Sequence, residues 1–242
     1  MNAVAAVVLD IEGTVGSASH VREVLFPFAG ERFARWFAER RGTPEAAAAL
    51  AAVGRRTGIA EPGEEEAVTA LLAWTDADVK VPVLKSLQGD IWATGYADGS
   101  LHGHVYDDVP GALERWRAAG VPVHIYSSGS VPAQRDWFAH TAHGDLTGLL
   151  TGHFDLDSAG SKREPDSYRT IARALGAPPR SLLFLSDTEE ELTAAAAAGW
   201  RTVAVRRGGD PRGDRLPGHT TIGSLDHEVL GETWQTRTGG TS

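Results

Sequence analysis

Four stretches carry residue types able to do chemistry together. "VVLDIEGTVG" (7–16) runs apolar and then presents Asp10 and Glu12, two residues apart. "VPVHIYSSGS" (121–130) ends on Ser127, Ser128 and Gly129, a polar loop before residue 164 carries Lys162, and "SLLFLSDTEE" (181–190) ends on Ser186 and Asp187. Carboxylates gathered at one place repel one another unless a cation lies between them. Oxygen donors, with no cysteine in the chain and no paired histidines, select a hard ion, most naturally Mg2+. Hydroxyls, the amides of a helix N-terminus and a lysine make an anion site beside it. A metal next to an anion site suits phosphoryl transfer, with ion and lysine neutralising phosphoryl oxygens. One of the carboxylates then attacks phosphorus to form an aspartyl-phosphate.

Each group also has a plainer use. Asp10 and Glu12 suit a turn that starts a helix, the serines suit turns and N-caps, Lys162 suits a solvated loop, and Asp187 suits an N-cap. The order D-x-E-G-T, S-S-G, K, S-D favours chemistry, because each falls at the predicted end of a strand or start of a helix. His102, His104, His140 and His143 lack the glutamate of a zinc motif and read as surface or packing residues.

The elements that must position these groups alternate. Apolar, β-branched runs near 7, 121, 181 and 201 are short and bounded by turn residues, as in strands buried on both faces. Helical patterns lie between them: 109–120, 131–141, 164–176 with Pro165 in its first turn and Gly176 as its cap, and 188–199 with Thr188 and Glu191 spaced as a capping box. Strand–helix alternation predicts an α/β fold, a Rossmann-like parallel sheet with helices on both faces, whose ligands bind at the strand C-termini. Residues 17–100 contain no strong strand. Val21, Val24, Leu25 and Phe28 share a helical face, with a break near Pro27, and "PEAAAALAAVG" (44–54) reads as a helix ending on Gly54. The expected organisation is a core of 1–16 and 101–242 with a helical insert, 17–100, after the first strand. The tail beyond about 208 reads mostly as loop.

Composition narrows the classes. The 242 residues carry a net charge of −9, which opposes a broad nucleic-acid surface or a basic membrane-surface helix. The absence of cysteine excludes disulfides, thiolate zinc sites and thiol catalysis. The opening residues lack the basic region of a signal peptide and no apolar run approaches a membrane span, so a cytoplasmic protein is expected.

With these motifs in place, the chain resembles the haloacid dehalogenase-like superfamily of Mg2+-dependent phosphatases over about residues 5 to 208. Within it the chain resembles the enolase-phosphatase family of methionine salvage. "LDIEGT" has Glu where most of the superfamily has a second Asp, and "VLFPFA" (24–29), "LQGDIW" (87–92), "IYSSGSVPAQ" (125–134), "GHFD" (152–155), "SYRTIA" (167–172) and "LFLSD" (183–187) are similar to the same family. The resemblance implies Asp10 as nucleophile and Mg2+ ligand, Glu12 at the metal through its backbone carbonyl with its carboxylate available for acid/base work, and Asp187 as the other metal carboxylate. It implies Ser127, Ser128 and Gly129 as the phosphate cradle, Lys162 as the cation that stabilises phosphate and nucleophile, and the helical insert as a cap over substrate. The implied substrate is 2,3-diketo-5-methylthiopentyl 1-phosphate, enolised and then dephosphorylated by a monomer. Val15–His20 and Arg163–Asp166 depart from the family pattern, so a phosphatase for another small phosphate monoester is the alternative. A receiver-like signalling domain and an inactive scaffold are further rivals. The helical insert and chain length oppose the first, and the set Asp10, Lys162 and Asp187 opposes the second.

Overall fold

The computed structural model describes residues 3–210 and 212–226. In chain order its elements are β1 (Ala6–Leu9), α1 (Ala18–His20), a π-helical turn (Val21–Leu25), α2 (Phe26–Gly30), α3 (Phe33–Glu39), α4 (Pro44–Thr57), α5 (Glu64–Asp76), α6 (Pro82–Ala97), α7 (Asp108–Ala118), β2 (Val123–Tyr126), α8 (Val131–Ala139), β3 (Gly152–Phe154), α9 (Leu156–Ala159), α10 (Pro165–Leu175), β4 (Leu182–Ser186), α11 (Glu189–Ala197), β5 (Arg201–Val205) and β6 (Thr221–Ile222), with short 3-10 turns before β3 and β4. The described residues fall into two compact units. One takes those up to Ala18 together with those from Gly103 onward, and the other is Ser19–His102.

The first unit is built on a parallel sheet ordered β3-β2-β1-β4-β5-β6. All four residues of β1 are buried. Ala6 and Val8 pack with Tyr126, Tyr168, Phe184, Leu192 and Trp200 in one core. Val7 and Leu9 point the other way by strand alternation and are fully buried too. Burial of both faces explains why this strand reads as a continuous apolar run. Strands β3 and β6 were not expected. The first has three half-buried residues and the second only two, too few for a pattern to register.

Local signals place the helix ends. Pro165 stands in the first turn of α10, where a missing N–H costs nothing, and Gly176 closes it in the left-handed region at φ 61°. Two expectations are corrected. Helix α4 does not stop at Gly54 but runs to Thr57, and Gly58 at φ 82° supplies the left-handed cap. Pro27 does not break a helix. It sits in the first turn of α2, and the chain turns after Gly30 instead.

The second unit is helical. Its core joins Ala29, Phe33, Trp36, Phe37, Val53, Leu71, Leu84 and Ile91. Among the described residues, no helix is long and apolar enough to cross a membrane.

Candidate active site

From β1 the chain moves outward through β2 and β3, then returns to β4 on the opposite side of β1. The strand order therefore reverses between β1 and β4, which opens a crevice at their C-terminal ends. Asp10 follows one of these strands and Asp187 the other, and the Asp10 amide donates to Leu185 O at 3.0 Å. The next loop is tight: Ile11 O accepts the amides of Thr14, Val15 and Gly16 at 3.2, 3.0 and 2.8 Å. Gly13 has φ 77°, and a Cβ there would lie 2.2 Å from Asp187 Oδ2. Only glycine meets both constraints, so the loop and the Asp187 carboxylate lie against each other. Thr14, fully buried, donates its hydroxyl to Asp10 Oδ2 at 3.2 Å.

Lys162 reaches this point from the loop before α10. Its ammonium is ion-paired and hydrogen-bonded to Asp10 Oδ1, and lies 2.8 Å from Glu191 Oε2. The loop is held by Tyr168 OH donating to Lys162 O and Tyr126 OH donating to Gly160 O, each at 2.8 Å. Glu191 was expected to cap α11 with Thr188, and it does not. Its carboxylate accepts from Ser186 Oγ at 2.8 Å and faces Lys162, while Thr188 Oγ1 donates to Asp187 Oδ1 at 2.9 Å. A buried ammonium is a stronger partner than a helix-end amide that water can reach. The spacing of Thr188 and Glu191 suggested a cap, whereas the position of Glu191 four residues after Asp187 was the signal that could have found it as a site residue.

Charge in this cluster is unbalanced. Burial pushes the Asp10 carboxyl up to about 8, with Glu191 and Asp187 adding to the rise and Lys162 opposing it. Burial disfavours the Lys162 charge, yet Asp10 and Glu191 together raise its pKa above the ordinary lysine value. Lys162 and, at Asp187, the Arg212 guanidinium face the three carboxylates of Asp10, Asp187 and Glu191, so with all three ionised an added cation would neutralise the charge that remains. The donors fit a hard divalent ion. Asp10 and Asp187 offer carboxylate oxygens. Among the described residues no group of three or more His, Asp or Glu side chains forms a metal cluster. Two carboxylates with water and phosphate oxygens are what Mg2+ commonly takes. Arg212, in the segment expected to be loop, also reaches here, donating to Asp187 Oδ2 at 2.5 Å.

Ser127 is buried at the end of β2, and the Gly129 amide donates to its Oγ at 3.2 Å. Gln134 braces this turn, donating to Gly129 O at 2.8 Å and Phe154 O at 2.9 Å. Ser128 is exposed, and Ser130 caps α8 by accepting from Ala133 N. Glu12 is exposed two residues beyond Asp10. The structure thus joins Asp10 and Lys162 directly, sets Asp187 against the Asp10 loop, and places Ser127, Ser128 and Gly129 at the end of the strand next to β1. The histidines stand apart from this cluster: His104 Nδ1 accepts from Ser17 N at 3.0 Å, and His143 Nε2 lies 3.2 Å from Val105 O.

Residues 4–199 match the haloacid dehalogenase-like hydrolase family. The enolase-phosphatase E1 of Streptomyces avermitilis is 49% identical over 221 residues, covering 91% of this chain and 92% of that protein. That of Pseudomonas aeruginosa strain UCBPP-PA14 is 46% identical, covering 93% and 98%. The crystal structure of the UTR4 protein from Saccharomyces cerevisiae superposes with a TM-score of 0.77 at 33% identity, covering 95% of this chain and 100% of that one. CbbY from Rhodobacter sphaeroides, at 17% identity and a TM-score of 0.59, shares the fold.

Proposed function

The chain belongs to the haloacid dehalogenase-like hydrolases and, within them, to the enolase-phosphatases; on that premise we propose a Mg2+-dependent enolase-phosphatase working through a phosphorylated Asp10. Its substrate in methionine salvage is 2,3-diketo-5-methylthiopentyl 1-phosphate, and its product is the acireductone. The observation that carries the mechanism is the buried Asp10–Lys162–Glu191 cluster beside Asp187 at the reversal of strand order.

Asp10 and Asp187, with the backbone carbonyl of Glu12, would hold the ion, which when bound supplies positive charge for phosphoryl and carbonyl oxygens. Ser127, Ser128 and the amide of Gly129 bind the phosphoryl oxygens. In the first half-reaction a proton leaves the carbon bearing the phosphate ester and the adjacent carbonyl oxygen gains one. Glu12, an exposed carboxylate beside Asp10, moves that proton. In the second, an Asp10 carboxylate oxygen bonds to phosphorus as the bond from phosphorus to the enol oxygen breaks, and the enol oxygen takes up a proton. Lys162 keeps its positive charge against the developing negative charge, and Glu191 orients Lys162. Water then hydrolyses the aspartyl-phosphate. The helical unit serves as the cap, and the protein acts as a cytoplasmic monomer.

Incubation with the diketo phosphate and Mg2+, followed both by ultraviolet absorbance and by phosphate release, tests this reading. An absorbing enol intermediate followed by acireductone is expected. Phosphate release without either assigns the site to another phosphate monoester.

A further inference from the structure

Arg207 lies just beyond β5, outside every group used above, and is 9% exposed. Its guanidinium is committed on all sides. Nε and Nη2 donate to the carbonyl oxygen of Thr14 at 2.8 and 2.5 Å, and Nη1 donates to Asp108 Oδ2 at 2.6 Å. Its Cζ lies 4.3 Å from the centroid of the Tyr106 ring, and the Tyr106 amide donates to Val15 O at 3.0 Å. Asp108 is itself pinned, its Oδ2 accepting from Ser224 Oγ at 2.8 Å and the Leu225 amide at 2.5 Å. A buried guanidinium is costly unless its geometry is well satisfied. Here its fork closes on one backbone carbonyl. That carbonyl belongs to Thr14, the residue whose hydroxyl holds Asp10 Oδ2.

We propose that Arg207 is a positioning residue for phosphoryl transfer: braced by Asp108, it clamps the Thr14 backbone so that the Thr14 hydroxyl fixes the Asp10 carboxylate in its attacking orientation. The inference rests on Asp10 being the nucleophile. Lysine cannot replace the clamp, because a single ammonium does not present two parallel donors to one oxygen while a third reaches Asp108.

The test compares wild type, Arg207→Met, Arg207→Lys and Asp10→Asn for kcat and KM, with p-nitrophenyl phosphate and with the diketo phosphate. Thermal unfolding is measured alongside, and each assay is repeated with millimolar guanidinium chloride. In Arg207→Met a loss of aim of about an ångström lowers kcat roughly 100-fold, while KM stays within about twofold because phosphate binding is untouched. Added guanidinium restores part of that kcat and leaves Asp10→Asn inactive. Arg207→Lys folds with its charge beside Asp108 retained and shows the same split, so the inference stays testable if the Met variant fails to fold. Wild-type kcat in Arg207→Lys or Arg207→Met overturns the inference. So does a loss that tracks the unfolded fraction and does not respond to guanidinium. An active Asp10→Asn variant, or a wild type that releases no phosphate, removes the nucleophile reading and this inference with it.

Discussion

The two units bury different kinds of side chain. In the helical unit the buried polar residues, among those described, are Thr75 and Gln88, both uncharged. Thr75 donates its hydroxyl to Leu71 O at 2.8 Å within its own helix. In the α/β unit Asp10, Asp155, Lys162, Asp187, Arg206 and Arg207 are all buried. Burying a charge is strongly unfavourable unless partners surround it, whereas burying Leu or Phe is favourable without further arrangement. The helical unit is therefore explained by packing. The α/β unit instead holds ionisable groups together at the C-terminal ends of its strands, each kept there by hydrogen-bond or ion-pair partners.

Breaking that contrast should give effects of very different size. Asp10→Asn removes the proposed nucleophile while keeping its volume, and is expected to lower phosphate release at least roughly a thousandfold with the circular dichroism spectrum unchanged. Chelation with EDTA should stop turnover and added Mg2+ should restore it, since the excess carboxylate charge then has its counter-ion again; phosphate release reads both. Glu191→Gln leaves Lys162 with one charged partner and should reduce kcat about 10 to 100-fold, an effect that a helix cap would not produce. In the helical unit, Leu71→Ala opens a cavity in a fully buried position. It should cost about 2–5 kcal/mol in denaturant melts, and a loss of activity without loss of stability would break the comparison. The smallest effect is on pH stability. Burial lowers the pKa of both His124 and His153 in the folded protein. Their neutral forms therefore support folding above the unfolded histidine value of about 6.5. That contribution is lost as pH falls through this value toward the depressed native ones. Measured from about pH 7.5 down to about 5, the melting temperature of the wild type should fall relative to that of His124→Gln, a difference that cancels the opposite pull of Asp10, whose raised carboxyl favours folding as pH falls.

Much of the fold was legible because the signals are local. The run that became β1 is apolar throughout, and those that became β2, β4 and β5 are apolar apart from His124, Ser186, Arg201 and Thr202, since both faces of the sheet are covered. Pro165 and Gly176 marked the ends of α10 by backbone constraint alone. Where two glycines compete, as in α4, local reading chose Gly54. The structure instead puts Gly54 inside the helix, where a Cβ would lie 2.6 Å from Ile59 O. Strand β3 was missed because its three residues gain their identity from pairing with β2, not from their own pattern.

The sequence by itself determined which residues stand at strand ends: Asp10, Ser127 and Asp187 each follow an apolar run, and a run that ends in polar groups must end where the buried sheet does. It also limited the donor chemistry, since a chain without cysteine offers no thiolate. Only the tertiary structure decided partnership. Lys162 meets Asp10 across 152 positions, and Arg207 meets Thr14 across 193. Glu191 is drawn from a helix end to a buried ammonium. Hydrophobic period records that a residue is buried, but which groups share that burial depends on the order in which strands are laid beside one another. That order is settled by packing over the whole sheet.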